Sequence, residues 1–215
     1  EHQGSELVFA DERYRAARCS GDVLHTVFDI FQEQKLLYLA LEVQLSGDFQ
    51  TKNIQTVLQA VEILAPQFSI TETHVRSGLS RLKSLTGFLG RWDAIGQNPL
   101  VLCDSAHNEH GLKGVVAELS KMQYKRLHIV FGVVKDKDIS TMLGLLPPDA
   151  RYYFCKANIP RGLDSGELQK KAAEMNLQGR LYSSVKNALR AAKRNATPDD
   201  LIFVGGSIFV VAEVV

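Results

Sequence analysis

The sequence predicts an α/β fold: a mostly parallel sheet with helices on both faces, preceded by a smaller α+β region. Three observations lead there. From Leu100 onward, short apolar runs alternate with amphipathic stretches, the rhythm of repeated strand–helix units. Residues 6–86 lack that rhythm and combine short strand-like runs with two helical patterns. The cluster Asp104-Ser105-Ala106-His107-Asn108 directly follows the apolar run Pro99-Leu100-Val101-Leu102-Cys103. It therefore sits at the carboxyl end of a strand, where diverging loops leave a crevice for ligands.

In the first part, Leu7-Val8-Phe9, Val23 to Phe28 and Lys35 to Leu39 read as strands of a small sheet. Short connections make that sheet antiparallel. Lys52 to Ala65 carries Ile54, Val57, Leu58, Val61 and Leu64 at helical spacing. Thr71 to Lys83 repeats the pattern through Val75, Leu79 and Leu82, with Thr71 placed to cap the helix. The boundary falls near residues 84–89, giving domains at 1–86 and 87–215.

In the second part the expected strands are Arg91 to Ile95, Leu100 to Cys103, Leu127 to Phe131, Tyr152 to Cys155, Gly179 to Tyr182 and Leu201 to Val204. The expected helices are Gly111 to Met122, Ile139 to Leu146, Gly166 to Met175, Ser184 to Lys193 and Ser207 onward. Right-handed crossovers bring the strand carboxyl ends to one edge. Three loops should converge there: Asp104 to Gly111, Gly132 to Asp138, and Gly205-Gly206-Ser207. The last offers free backbone amides, which suit an anion.

Composition narrows the function classes. A net charge of +1 gives no broad electrostatic case for nucleic acid or membrane binding. No stretch approaches the roughly 18 apolar residues of a membrane span. Three widely spaced cysteines fit neither a disulfide framework nor a zinc pattern, which points to the reducing cytoplasm. No metal-ligand spacing is present. The run Lys135-Asp136-Lys137-Asp138 reads as a solvated charged turn.

Gly90-Arg91 followed by Asp104-Ser105-Ala106-His107-Asn108 is similar to the signature of the carboxyl-terminal domain shared by folylpolyglutamate synthases and muramyl ligases. That pattern runs Gly-Arg, then Asp-x-Ala-His-Asn-Pro. Gly47 to Asn53 resembles the family's upstream Gly-x-His-Gln-x-x-Asn segment in its central ATPase domain. Gly132 with Lys137-Asp138, Pro160-Arg161 and Gly206-Ser207-Ile208 fall where folylpolyglutamate synthases have similar residues. Glu109 replaces the usual Pro, and Phe49 the usual His. The resemblance implies a Rossmann-like carboxyl-terminal domain at 87–215, preceded at 1–86 by the end of the central ATP-binding domain.

It also implies ATP-dependent amide formation: a folate or dihydropteroate carboxylate is phosphorylated, and L-glutamate displaces the phosphate. ATP and Mg2+ would be held mainly on a P-loop. The sequence contains no Gly-Lys dipeptide and so no P-loop; with its Glu1 start, it is expected to be a carboxyl-terminal portion that is inactive alone. The whole protein would be monomeric, and apolar surface on a truncated first part would favour self-association of the fragment.

By resemblance, Arg91 reaches the ATP phosphates, where a guanidinium supplies charge and two directed hydrogen bonds. Asp104 accepts from ribose hydroxyls, orients Arg91, or simply caps the next helix. His107, the candidate catalytic residue, lies near the phosphate or the incoming glutamate, or else holds its loop through backbone bonds. Asn108 reads as a turn-former. Gln50 and Asn53 would touch adenine, their amides offering donor and acceptor, unless they only cap a helix. Ser207 would help hold glutamate. The alternatives are a muramyl ligase of peptidoglycan synthesis and a non-catalytic α/β binding module.

Overall fold

The structure, a computed structural model, describes residues 4, 7–135 and 138–215. The chain divides into two compact units, Glu1–Phe88 and Leu89–Val215.

In the first unit a short helix α1 (Ala10–Arg13) leads into strands β1 (Tyr14–Gly21), β2 (Thr26–Gln32) and β3 (Lys35–Val43). They form an antiparallel sheet in the order β1-β2-β3. Helices α2 (Gln50–Phe68), α3 (Glu72–Ser80) and α4 (Leu82–Thr86) follow. Successive side chains on a strand face opposite ways, so Phe28 and Ile30 of β2 point together into the core. There they meet Leu41 and Val43 of β3, Ile54 and Leu58 of α2, and Val75 and Leu79 of α3. Thr71 stands at the N-cap of α3, its amide donating to His74 Nδ1 at 3.2 Å.

The strand expected at Leu7-Val8-Phe9 does not form; these residues are exposed, without regular structure, and precede α1. The first strand is instead Tyr14–Gly21, whose mixed polar composition follows from how little of it is buried. Val23 and Leu24 likewise lie before β2, in a turn where Asp22 Oδ1 accepts the amides of Leu24 and His25.

The second unit contains β4 (Asp93–Gln97), β5 (Leu100–Asp104), α5 (Glu109–Ser120), β6 (Leu127–Phe131), α6 (Ile139–Gly144) and β7 (Arg151–Phe154). It continues with α7 (Ser165–Glu174), β8 (Gly179–Leu181), α8 (Val185–Asn195), β9 (Leu201–Gly205) and α9 (Ile208–Val211). The six strands run in the order β4-β5-β9-β6-β7-β8. β4 is antiparallel to β5, and the other pairs are parallel. The central β6 and β9 are buried along their whole length, as expected where helices cover both faces.

On one face Val101, Val130, Ile202 and Val204 pack against Val185, Ala188 and Ala192 of α8 and Val210 of α9. The expected strand Arg91 to Ile95 begins two residues late, at Asp93, because Gly90 and Trp92 take positive φ and form a turn. Asp136 and Lys137 lie outside the described residues.

Candidate functional site

The carboxyl edge of the second unit's sheet is built by register. Asp104 of β5 and Phe131 of β6 both pair with Gly205 of β9, so three strands end at one level. The loops leave at close quarters. A Cβ on Gly206 (φ +93) would stand 2.6 Å from the Phe131 ring and 2.7 Å from the Gly132 carbonyl oxygen. Only a residue without a side chain fits there, and its φ is one L-residues avoid. The amide of Gly132 donates to the Gly205 carbonyl at 3.3 Å.

Asp104 is 3% exposed at the end of β5. Its Oδ2 accepts the amide of Trp92 at 2.8 Å, and its Oδ1 accepts the amide of Ala106 at 2.7 Å. Burial pushes its carboxyl above the ordinary range, while the amides of Ala106 and Trp92 and the Arg91 charge pull it back. Both oxygens are thus committed to backbone: one holds its own loop, and the other reaches back to the turn before β4.

That turn is fastened by two further hydrogen bonds. Gly90 donates its amide to Asp93 Oδ2 at 3.1 Å, and its carbonyl accepts from Ser105 at 2.9 Å. A Cβ on Gly90 (φ +76) would lie 2.6 Å from Val211. Trp92 is buried, with φ at 44°, a left-handed conformation that costs a non-glycine residue about 1–2 kcal/mol. Arg91 lies between these anchors and is exposed. Sequence reasoning missed Asp93 and Trp92. The acid three residues after Gly90 was the available signal for Asp93; nothing local signalled the left-handed Trp92.

His107 is half-buried, with Nδ1 3.1 Å from the Ser105 carbonyl. A carbonyl only accepts, so Nδ1 is the donor in this contact, which leaves Nε2 for other partners. Asn108 caps α5, its Oδ1 accepting from Gly111 at 2.8 Å. Ser207 is buried at the start of α9, where its Oγ accepts from Phe209 at 3.2 Å. Beyond it, the Arg161 guanidinium lies 4.7 Å from the Phe209 ring centroid.

The first unit holds Gln50 and Asn53 on the opening turn of α2. Gln50 is buried, and its Oε1 accepts from Asn53 Nδ2 at 3.0 Å. Asn53 is exposed. Phe49, also exposed, lies over Gly47.

Among the described residues no cluster of His, Cys, Asp and Glu is arranged to hold a metal ion. No helix among them is long and apolar enough to cross a membrane.

Residues 90–208 match the family described as Mur ligase, glutamate ligase domain. The chain is 31% identical to a probable bifunctional folylpolyglutamate synthase/dihydropteroate synthase of Haloferax volcanii, over 90% of this chain and 22% of that protein. It is 29% identical to the folylpolyglutamate synthase of Lacticaseibacillus casei, over 81% of this chain and 39% of the other. Folylpolyglutamate synthase of Mycobacterium tuberculosis, complexed with ADP and AMPPCP, shares the fold with a TM-score of 0.78 at 23% identity. That likeness covers 94% of this chain and 47% of the other, so the chain spans less than half the length of these relatives.

Proposed function

Because this chain belongs to the Mur ligase, glutamate ligase domain family, we propose that it supplies the closing half of an ATP-dependent ligase. The enzyme joins L-glutamate to a folate or dihydropteroate carboxylate. Its relatives named as folylpolyglutamate synthases support this choice over a muramyl substrate. The substrate carboxylate attacks the γ-phosphorus of ATP, ADP leaves, and an acyl phosphate forms. The glutamate amine then attacks the acyl carbon and expels phosphate. The main grip on ATP and its Mg2+ belongs to a P-loop, a motif these residues do not contain.

The observation that carries the proposal is the presentation of Arg91. An exposed guanidinium stands on a turn locked by Asp93, Asp104 and Ser105, at the edge where α/β sheets take ligands. A cation carried on such a fixed turn stabilises negative charge on transferring phosphoryl oxygens. Asp104 acts as the positioning residue, since its oxygens already serve the backbone.

His107 Nε2 takes the proton from the glutamate amine, with Ser105 holding the ring's orientation. Asn53 meets the adenine edge, steadied by Gln50. Ser207 contributes to the glutamate site through the turn that it caps.

The test is incorporation of labelled glutamate by the polypeptide that carries this chain. Dihydropteroate or tetrahydrofolate should accept it. Failure on both, with turnover of a muramyl substrate, would move the chain to the other branch of the family. Full ligation after Arg91→Ala and Asp104→Ala would leave only a non-catalytic module.

A further inference from the structure

The outer face of α8 is a stripe of positive charge. Val185, Ala188, Leu189, Ala191 and Ala192 turn inward and are buried, while Lys186, Arg190, Lys193 and Arg194 are exposed. The helix carries no acidic residue. Among the described residues, none of these four cations has a carboxylate within ion-pair distance. Cations three and four residues apart on a helix repel one another. The helix dipole favours Lys193 and Arg194 in the last turn, but opposes Lys186 in the first. In a chain of net charge +1, this concentration is local.

The stripe borders an open hollow of 510 Å³ whose lining also includes Glu213 and Val214. Glu213 is already engaged, its Oε1 accepting the amide of Asn158 at 2.7 Å. Lys186 and Glu213 also line a second cleft of 1010 Å³, which includes Lys156, Ser184 and Phe209. Phe209 lies two residues beyond Ser207, at the carboxyl edge of the sheet. The two hollows share Lys186 and Glu213, and together form a track lined by Lys156, Lys186, Arg190, Lys193 and Arg194, with Glu213 as the one carboxylate in its lining.

We propose that this track is a docking groove for a γ-linked oligoglutamate tail, an acidic chain carried by the substrate of the proposed ligase. The inference rests on the glutamate-ligase reading above. Lys186, Arg190 and Arg194 stand four residues apart, so the cations recur about every 6 Å along the helix. A γ-linked glutamyl unit has five backbone bonds and spans roughly 6 Å when extended. Because five is odd its carboxylates alternate sides, so those on one side recur at roughly 12 Å, the span from Lys186 to Arg194. The outward face of α8 offers no aromatic ring, and the Phe209 ring of the second cleft already faces the Arg161 guanidinium, whereas single-stranded nucleic acid is held by stacking as well as charge.

The test is the affinity of this chain for pteroyl monoglutamate and pteroyl pentaglutamate. It is read for wild type and for the triple variant Arg190→Ala, Lys193→Ala, Arg194→Ala, with thermal melting confirming the fold. We expect at least ~10-fold tighter binding of the pentaglutamate by wild type, weakening with salt and vanishing in the variant. Equal affinity for the two ligands, or an unchanged variant, would overturn the groove. So would equal competition by a single-stranded oligonucleotide of matching charge, which marks a generic polyanion surface. In the ligase itself, normal product lengths from the triple variant would sink the groove alone. A wild type that ligates no glutamate, while the chain still binds pentaglutamate through α8, would sink the enzymatic reading alone.

Discussion

Asp104 accepts the amide of Trp92 across twelve residues of chain, and so fixes the backbone turn that carries Arg91. The carboxylate stands at the end of β5, Trp92 is held with a positive φ, and Arg91 precedes it on the exposed side of the turn. A conventional reading would give such an acid directly to the ligand. Its burial and its two amide partners make it the fastening of the turn instead.

Removing that fastening should therefore cost stability before it costs chemistry. Asp104→Ala leaves the amides of Trp92 and Ala106 buried without an acceptor, at about 1–3 kcal/mol each. We expect a total loss of about 3 kcal/mol for the second unit, read from the denaturant midpoint at unchanged slope. Asp104→Asn keeps one acceptor oxygen and should lose about half as much. An alanine variant as stable as wild type would mean that the turn holds itself.

Gly206→Ala tests the crowding of the three strand ends. The added methyl meets the Phe131 ring and the Gly132 carbonyl, in a backbone conformation that alanine resists. The expected loss is about 2–4 kcal/mol, measured by denaturant unfolding. Gly114→Ala is the control: it sits within α5 with nothing near its Cβ position, and should be neutral or slightly stabilising.

Stability should also fall on acidification, through a buried group far in sequence from the site. His128 is fully buried, with Nδ1 2.9 Å from the Tyr153 hydroxyl and Nε2 3.5 Å from Asp200 Oδ2. Burial holds the imidazole below its ordinary value, and Asp200 only partly offsets this. A base so depressed stays neutral in the fold but takes a proton in the unfolded chain, so stability drops as pH falls below about 6.5. Asp200 adds to the same trend lower down. Burial raises it, but the Thr197 bonds and His128 outweigh that and hold it low. Asp104, raised by burial, works in the opposite sense. His128→Gln isolates the first contribution: its stability profile should be flatter than wild type between neutrality and pH ~5. Parallel profiles would remove His128 from the account.

What the sequence made legible follows from how each residue is held. The run Leu127 to Phe131 is apolar throughout because both faces of β6 are covered, and it is a strand over those residues. Tyr14–Gly21 escaped recognition because it is largely exposed and carries no apolar signature, while Leu7-Val8-Phe9 looked like a strand but is exposed. Asn108 as a turn-former could be read from its place before a helical pattern, since a cap bonds within three residues. The partner of Asp104 could not, because it lies on another strand's approach and depends on register. The same holds for the Arg161–Phe209 contact and for the lining shared by the two hollows.

The role of Arg91 is read from the initial rate of ATP-dependent glutamate incorporation by the polypeptide carrying this chain. Wild type is compared with Arg91→Ala and Arg91→Lys. Arg91 is exposed, so both variants should melt like wild type. Alanine should lower turnover at least ~100-fold, the scale of one missing transition-state donor. Lysine should recover little, because it cannot supply the guanidinium's paired bonds. Turnover close to wild type in the alanine variant would contradict the claim that this turn exists to present Arg91 to a phosphate.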